Sequence, residues 1–341
     1  MIYKKLIRPV LFLFDAESVH DFVLKFLSKS SFLYPVFKKI YSPVLNQEII
    51  IKKFIFKNPL GLAAGFDKNG IAIRFWEAIG FSHVEIGTVT PLPQKGNEKP
   101  RIFRLKKDEA LINRLGFNNK GTDEIRENIL RARKFVNKDF VIGVNIGKNK
   151  VTPIKDAVSD YMICFRKMFD VADYFTINIS SPNTEGLRML HEKEHLEKLL
   201  AEIQNLNIEI SKSKSSSVKC IFLKIAPDLT EEMTEMIYSV SVKNNITGII
   251  ATNTTVERIN LKSDVSEQGG LSGKPLKPLS DNILKKLNRL NKNNELVLIG
   301  VGGIFNRSDY DDKINSGAMF IQIYTGFIYE GPAVIKNILS K

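Results

Sequence analysis

The stretch Tyr174–Arg188, YFTINISSPNTEGLR, joins a short apolar segment directly to a polar loop. Its first residues are aromatic or β-branched and predict a buried strand. Between positions 178 and 186, seven residues are amides, hydroxyls or turn formers, whereas a plain turn needs only two or three. None of the seven is a good metal ligand. The stretch therefore predicts a strand that ends in a hydrogen-bonding loop.

The same pattern recurs along the chain. The segments that have it are GLAAG (61–65), HVEIG (83–87), FVIGVNI (140–146), YFTINI (174–179), IFLKI (221–225), GIIAT (248–252), VLIGV (297–301) and MFIQI (319–323). Segments with helical periodicity, such as 196–210 and 231–243, lie between most of them. Eight strands with intervening helices predict an α/β fold, a (β/α)8 TIM barrel with a small N-terminal helical domain. An open doubly wound sheet stays possible, because one sequence does not reveal strand order.

The interval 88–138 is too long for one loop and one helix, and it predicts a small excursion over the barrel mouth. Composition supports a large core, since 43% of the 341 residues are hydrophobic and 26% are charged. Only two cysteines occur, Cys164 and Cys220, and they form no CxxC pair. We therefore expect no zinc site and no thioredoxin-like centre.

The formal charge of +13 is compatible with nucleic acid, an anionic membrane surface or an acidic small molecule as partner. Many of the lysines are scattered, as in the exposed-looking run SKSKSSS (211–217), so a solvated lysine-rich surface is the favoured explanation. The charge alone assigns no partner.

The first 45 residues predict helices. The apolar run 10–14 stops at Asp15, too short for a membrane span and poorly shaped for a cleaved signal. Asp15 is expected to cap a helix in which apolar residues recur at helical spacing. Residues 1–41 hold seven Lys or Arg against three Asp or Glu, a net charge of +4. Such a hairpin suits either docking on the protein's own core, which these residues alone favour, or a membrane interface.

The residues that follow the predicted strands meet at one face of a barrel. The polar positions there are 64–70, Thr88, 113–119, Asn145, 178–188, Lys224, 252–255, Gly302, Gly303 and 324–326. They are rich in amides, hydroxyls and glycines and poor in histidine and carboxylate, which predicts a planar polar ligand held by many hydrogen bonds. Glycines after strands seven and eight suit a phosphate. FMN fits this pattern better than a dinucleotide, and no GxGxxG follows a strand.

Longer motifs make the chain similar to a known family. They are NPLGLAAGFDKNG (58–70), IGTVTPLPQKGNEKPRIFRL (86–105), NRLGFNN (113–119), VNIGKNK (144–150), NISSPNTEGLR (178–188), LKIAPDL (223–229), TNTT (252–255), GGLSGKPL (269–276), GVGGI (300–304) and YTGFIYEGP (324–332). Over nearly its whole length the chain resembles the dihydroorotate dehydrogenases, and among them the quinone-dependent, membrane-associated class 2. A helical N-terminal extension is itself a mark of class 2, so the resemblance favours membrane contact.

The resemblance implies oxidation of dihydroorotate to orotate in the pyrimidine (UMP) pathway, with FMN as cofactor and a membrane quinone, ubiquinone or menaquinone, as acceptor. It identifies Ser181 as the base, where class 1 relatives have a cysteine. A serine hydroxyl is a weak base and needs a route for the proton. The resemblance suggests Thr184 and a water beside Phe117 for that route.

The resemblance also assigns binding positions. For the substrate they are Lys68, Asn113, Arg114, Leu115, Gly116, Phe117, Asn178, Asn183, Asn253 and Thr254. For FMN they are Ala64, Gly65, Lys68, Thr88, Asn145, Asn178, Lys224, Thr252, Gly273, Gly303, Tyr324 and Thr325. Lys224 would hold a positive charge beside the flavin ring. His20 would line a quinone tunnel, and Glu185 stands where family members often carry proline, which leaves the motion of that loop open.

The resulting hypothesis has residues 1–45 as a membrane and quinone-access domain and residues 46–341 as an FMN-binding barrel. The protein is expected to be a monomer without nucleic-acid partners, bound peripherally to the cytoplasmic side of a bacterial cell membrane. One alternative is another FMN barrel, a class 1 enzyme or a tRNA dihydrouridine synthase, although both are expected to use cysteine. Another is a non-enzymatic basic scaffold at a membrane, whose purified form would be colourless.

Overall fold

The computed structural model describes residues 2–43, 48–51, 54–184, 186–259 and 261–340. The chain starts with a π-helical turn, Tyr3–Ile7, followed by α1 (Arg8–Leu11), α2 (Ala16–Lys29) and α3 (Tyr34–Tyr41). The predicted cap is confirmed, because Asp15 Oδ1 accepts a hydrogen bond from the Ser18 N–H at 2.8 Å. The predicted boundary between residues 45 and 46 lies outside the described residues.

A closed parallel barrel forms the centre of the molecule. The strands, in chain order, are β1 (Ile49–Ile51), β2 (Phe54–Phe56), β3 (Leu60–Leu62), β4 (His83–Val89), β5 (Ile102–Leu105), β6 (Ala110–Asn113), β7 (Val141–Ile146), β8 (Tyr174–Asn178), β9 (Cys220–Ile225), β10 (Gly248–Ala251), β11 (Gly270–Gly273), β12 (Val297–Val301) and β13 (Phe320–Ile323). Eight of them close in the order β10-β12-β13-β3-β4-β7-β8-β9. Each predicted strand falls on one of these eight. The barrel is confirmed, and its closure excludes the doubly wound alternative.

Helices surround the barrel and connect its strands. They are α4 (Ile73–Ala78), α5 (Gly121–Arg133), α6 (Ala157–Met168), α7 (Lys193–Ser213), α8 (Glu231–Lys243), α9 (Lys277–Leu290), α10 (Arg307–Asn315), α11 (Thr325–Glu330) and α12 (Ala333–Leu339). The two helical segments predicted from periodicity, 196–210 and 231–243, lie within α7 and α8. Their apolar faces pack on the strands in one continuous core.

The predicted excursion over the barrel mouth is also present. It holds β5, β6 and α5, and β6 pairs antiparallel with both β5 and β11. The third strand, β11, comes from the connection between β10 and β12, so this small sheet combines two distant parts of the chain.

The β1–β2 hairpin covers the opposite end of the barrel. Ile51 and Phe56 are buried in a cluster with residues near the beginnings of barrel strands, such as Val141 and Phe320. The rings of Phe56 and Phe320 are 4.4 Å apart, close enough for a packed aromatic pair. The hairpin therefore fills the amino-terminal end of the barrel with apolar side chains.

The N-terminal helices have one docked face and one exposed face. Leu24, Leu27 and Tyr34 are buried in the main core. The exposed large apolar residues of this region are Ile2, Leu6, Ile7, Val10, Leu13, Phe14, Phe22, Phe26, Phe32, Val36 and Ile40, which we call the N-terminal apolar face. In the part of the chain that the structure describes, no helix is both long and apolar enough to cross a membrane.

Candidate active site

A pocket opens at the carboxyl ends of the barrel strands, beneath the β5–β6–β11 sheet. It holds about 980 Å³ of empty space, counting its open mouth. The predicted site residues on its wall are Ala64, Gly65, Lys68, Thr88, Asn113, Leu115, Gly116, Phe117, Asn178, Ser181, Asn183, Lys224, Thr252, Asn253, Thr254, Gly273, Gly303, Tyr324 and Thr325. Further wall residues include Ala63, Ser272, Leu276, Val301, Gly302, Ile304, Gln322, Ile323 and Gly326. The fold thus brings most of the predicted positions to one cavity.

Three predicted residues are not on the pocket wall. Asn145 lies just behind it, where its Oδ1 accepts a hydrogen bond from Thr88 Oγ1 at 2.6 Å. Thr184 is buried in the loop after Ser181. Arg114 turns its guanidinium outward, with Nη1 2.8 Å from Glu267 Oε2, although its neighbours Leu115 and Gly116 face the cavity. Glu185, the predicted departure from the family, lies outside the described residues.

A buried carboxylate lies beneath the pocket floor. Glu85 is fully buried on β4 and accepts hydrogen bonds from Asn145 Nδ2 at 2.8 Å and from Gln322 Nε2 at 3.0 Å. Thr176 Oγ1 donates to the same carboxylate at 3.0 Å. The ammonium of Lys224 lies 3.7 Å from Glu85 Oε1 and adds the opposite charge that a buried carboxylate requires. The pair holds the Lys224 ammonium at the floor.

Sequence reasoning missed Glu85, although a signal for it exists. Within HVEIG, the polar residues His83 and Glu85 alternate with Val84 and Ile86. Because alternate side chains of a barrel strand face its interior, a glutamate in this register belongs inside the barrel. Gln322 on β13 could have been found by the same reasoning.

Amide side chains converge around the loop after β8. Asn178 Nδ2 donates to Thr88 Oγ1 at 2.9 Å, and Asn253 Nδ2 donates to Ser180 Oγ at 3.0 Å. Across the cavity, Asn183 Nδ2 donates to Asn113 Oδ1 at 3.2 Å. Asn178 Nδ2 also donates to Asn145 Oδ1 at 3.1 Å, and Asn178 Oδ1 accepts from Ser180 Oγ at 3.2 Å. Because an amide side chain has two donors and two lone pairs, a ligand at Asn178 would replace some of these contacts.

Ser181 lies on this loop, buried but on the cavity wall. Its Oγ accepts a hydrogen bond from the backbone N–H of Asn183 at 3.3 Å. The aromatic ring of Phe117 is on the wall of the same cavity. Neither Cys164 nor Cys220 is on the wall, and both are buried elsewhere.

The far end of the pocket is built from glycines and the start of a helix. Gly303 has φ +74°, and a Cβ there would come within 2.3 Å of Lys277 Cβ. A Cβ on Gly326 would meet Ile304 O at 2.0 Å. Helix α11 starts at Thr325, so backbone N–H groups without intrahelical partners point from its first turn. Thr325 Oγ1 and Ser272 Oγ lie 2.8 Å apart and complete this end.

A second cation, Lys68, lies between the pocket and the N-terminal helices. Burial lowers the pKa of the Lys68 ammonium to about 8, although attraction to Glu17 and Asp21 opposes part of that effect. The ammonium is therefore charged at neutral pH but titrates close to it.

Aromatic rings connect α2 to the pocket. The His20 ring contacts Phe66 edge to face with 5.1 Å between centroids, and Phe66 contacts Tyr324 in the same way at 5.2 Å. Tyr324 is on the pocket wall. Burial, together with repulsion from Lys68, lowers the pKa of His20 to about 3, so this histidine is neutral in ordinary buffers.

The residues present fit FMN. The glycine end has no room for added side chains and offers backbone N–H groups, as a phosphate requires. The middle holds Thr88, Asn178 and Lys224, which offer hydrogen bonds and a positive charge to the polar edge of a ring. Ala63 and Ile323 supply apolar wall, and the aromatic series reaches the pocket from one side.

The chain is similar to known proteins over nearly its whole length. A family model described as Dihydroorotate dehydrogenase matches residues 44–341. A protein of Christiangramia forsetii named Dihydroorotate dehydrogenase (quinone) is 47% identical, covering 100% of this chain and 98% of that protein. A protein of the same name from Vibrio parahaemolyticus is 44% identical over 100% of this chain and 99% of its own. The crystal structure of DHODH from Eimeria tenella in complex with ferulenol superposes with a TM-score of 0.84 at 37% identity, covering 95% of this chain and 89% of that one.

Proposed function

This chain belongs to the dihydroorotate dehydrogenase family and to its quinone-dependent class 2, and from that membership we propose how its own residues carry out the reaction. It is an oxidoreductase of pyrimidine biosynthesis that oxidises dihydroorotate. We propose that FMN is the cofactor, that Ser181 is the base and that a membrane quinone takes the electrons. The convergence of four asparagine amides and Ser181 on one cavity carries this proposal.

Dihydroorotate presents ring amides and a carboxylate, and the pocket offers matching groups. Asn113, Asn178, Asn183 and Asn253 would exchange part of their present hydrogen bonds with neighbouring side chains for bonds to the ring carbonyls and N–H groups. Lys68 supplies a positive charge for the carboxylate. A rigid ring held at several points would leave the substrate in one orientation, which is the main requirement for a fast proton and hydride transfer.

Ser181 would remove the proton from C5 of the substrate. Its Oγ already accepts the Asn183 N–H, which orients the hydroxyl and leaves a lone pair for the substrate proton. A serine hydroxyl needs somewhere to pass its own proton. Thr184, buried three residues later, and a water beside Phe117 are the groups we propose for that transfer. Cys164 and Cys220 are buried away from the cavity, which supports serine rather than cysteine chemistry.

FMN would be held with its phosphate at Gly303 and Thr325 and its ring near Thr88, Asn178 and Lys224. Bound there, FMN would supply the two-electron redox chemistry, with C6 of the substrate as hydride donor and the quinone as final electron acceptor. Lys224, kept in place by Glu85, would stabilise negative charge at the ring.

The N-terminal helices would bring the quinone from the membrane. The N-terminal apolar face would lie in the lipid interface. The exposed Lys5, Lys25 and Lys29 would face anionic head groups. The contacts from His20 through Phe66 to Tyr324 mark an aromatic path for the quinone head toward the flavin. Residues 1–45 would thus serve membrane binding and quinone access, on the cytoplasmic side of the cell membrane.

The deciding experiment is an anaerobic visible spectrum of the purified protein before and after dihydroorotate is added. A flavin band that is bleached by dihydroorotate and restored by a quinone would support the whole proposal. A flavin band that dihydroorotate does not bleach would refute the substrate and the role of Ser181, and a colourless protein would refute the cofactor.

A further inference from the structure

A buried ion pair joins the N-terminal helix α2 to the barrel. Arg101 Nε and Nη2 donate to the two carboxylate oxygens of Glu17 at 2.9 and 2.6 Å. Each of the two residues is only 5% exposed. Burial would raise the pKa of the Glu17 carboxyl, but its pairing with Arg101 and attraction to Lys99 and Lys68 lower it overall. The bidentate pair therefore carries full charge on both sides at neutral pH.

The remaining nitrogen of the same guanidinium holds a turn. Arg101 Nη1 donates to the carbonyl oxygens of Lys95 and Asn97, at 2.6 Å each. Gly96, between them, has φ +78°, and a Cβ on it would lie 2.2 Å from Leu115 O. Only a glycine allows so close an approach, so the turn rests directly on the backbone of the pocket wall.

Asn97 contacts both sides of the part of the pocket that is lined by Asn113 and Asn183, which we call the substrate end. Its Nδ2 donates to Arg114 O at 3.0 Å and to Asn183 O at 3.2 Å. Its backbone N–H donates to Leu115 O at 3.1 Å. One amide group thus ties the segment after β6 to the loop that carries Ser181.

These contacts form a continuous series from α2 to the substrate end. Glu17 orients Arg101, Arg101 shapes the turn, and the turn places the Asn97 amide between two carbonyls. A buried ion pair is weak evidence for stability, because desolvation offsets most of its attraction. Its fixed geometry is better suited to hold a loop in one conformation, which increases affinity by preorganisation.

We propose that Glu17, Arg101 and Asn97 form a positioning relay through which the N-terminal helix sets the geometry of the dihydroorotate pocket. The inference rests on the proposed function and adds three residues that are not on the wall of the pocket. The relay thus links helix α2, on the side proposed to face the membrane, to the loop proposed to hold the substrate. Loss of the relay weakens binding of dihydroorotate and orotate, while Ser181 keeps its chemistry once the substrate is bound.

A double-mutant cycle on the full-length, FMN-loaded protein tests the relay. The variants are Asn97→Ala, Glu17→Gln and the double variant, and the measurement is the Kd of orotate by calorimetry. Asn97→Ala is expected to raise the Kd about tenfold, the effect of losing roughly 1.4 kcal/mol of hydrogen bonding. Glu17→Gln is expected to raise it about fivefold in the wild-type background, and by less than about 1.5-fold when Asn97 is already Ala.

Controls separate the relay from general damage. Lys99 Nζ lies 3.4 Å from Glu17 Oε1 but is 59% exposed, so Lys99→Gln removes a charge near the same carboxylate and is expected to leave the Kd unchanged. The limiting rate of flavin reduction is expected to stay within about twofold in every variant. If Glu17→Gln gives no soluble protein, Glu17→Asp replaces it, because it keeps the charge but shortens the reach to Arg101.

Two results would overturn the relay while leaving the proposed function intact. The first is that Glu17→Gln raises the orotate Kd by the same factor in the wild-type protein and in Asn97→Ala. Glu17 would then act through the charge of Lys68 or through stability, and the relay would be wrong. A limiting reduction rate that falls as steeply as affinity would also overturn it. If the wild-type protein does not bind orotate, the proposed function itself fails, and the relay fails with it.

Discussion

The backbone N–H of Asn183 donates to Ser181 Oγ across a single intervening residue, Pro182, at 3.3 Å. The loop thereby turns the hydroxyl of Ser181 toward the cavity and sets its orientation. Because the Asn183 side chain is also on the cavity wall, the base and the substrate contact that we propose lie on the same loop. In the proposed mechanism, the orientation of the Ser181 oxygen would therefore be coupled to the binding of the substrate.

Ser181→Ala is expected to slow anaerobic flavin reduction by about 10²- to 10⁴-fold, the usual contribution of a general base. The binding of orotate should change little, since the neighbouring amides are retained. Stopped-flow absorbance measures the rate, and calorimetry measures the orotate Kd. Reduction at close to the wild-type rate would remove Ser181 from the mechanism.

Lys68 is expected to make substrate binding depend on pH. Its pKa is lowered to about 8, so the positive charge is present below that pH and lost above it. The orotate Kd should rise above about pH 8 and approach a tenfold increase for each further pH unit. In Lys68→Met the Kd should be high and flat, and in Lys68→Arg the rise should disappear, because arginine stays charged. A wild-type Kd that is constant from pH 7 to 10 contradicts this role.

Gly303→Ala is expected to yield protein with little FMN. The new Cβ would sit 2.3 Å from Lys277 Cβ at φ +74°, where an L-residue costs roughly 1–2 kcal/mol even without a clash. The ratio of flavin absorbance to protein absorbance measures occupancy. Gly70→Ala is the control, because it has similar strain at φ +66° away from the pocket wall and should retain its flavin. Equal flavin content in both variants would place the phosphate elsewhere.

The double variant Phe22→Asp/Phe26→Asp is expected to lose its binding to vesicles that contain anionic lipid. Both rings belong to the N-terminal apolar face, 66% and 49% exposed, and burying one phenylalanine contributes about 1.5–3 kcal/mol. Co-sedimentation measures binding, and flavin reduction by dihydroorotate should be unaffected. Val218→Asp, a similar change ahead of β9, should bind normally. A double variant that sediments like the wild type would refute the membrane-facing surface.

His20→Ala is expected to raise the KM for quinone several-fold while leaving flavin reduction unchanged, because its ring contacts Phe66 rather than the substrate end. Since the pKa of His20 is lowered to about 3, the imidazole should add no pH dependence to quinone reduction between pH 5 and 8. Steady-state assays with quinone over this range check both points. His195→Ala, at an exposed position on α7, serves as the control. An unchanged quinone KM would exclude His20 from the path.

Much of the fold could be predicted because its signals are local. Each barrel strand, such as YFTINI or VLIGV, is a short apolar run that ends in its own polar residues, and neither depends on distant parts of the chain. The strand ends also identify the pocket, since barrel geometry brings them to one face. The position of the pocket was predictable for the same reason, whereas the roles of its residues stay predictions.

The parts that escaped prediction depend on distant contacts. No local pattern indicates that Leu271 of β11 pairs with Ile112 of β6, or that Glu17 meets Arg101. Side-chain direction is also not local: Arg114 belongs to a motif whose neighbours face the cavity, yet its charge pairs with Glu267 outside it. Glu85 shows the intermediate case, where strand alternation marks the position but only the closed barrel shows what it supports.

The hairpin that packs Phe56 against Phe320 closes the amino-terminal end of the barrel. Among the described residues, this apolar cluster fills that end, so a flavin bound in the pocket would be approached from the rim at the other end. Dihydroorotate would then enter at the part of the rim beside the loop after β8, and the quinone would enter beside the N-terminal helices. A compound wedged between α2 and the pocket would leave orotate free to depart but block reoxidation. The enzyme would then oxidise one molecule of dihydroorotate and stop in its reduced form.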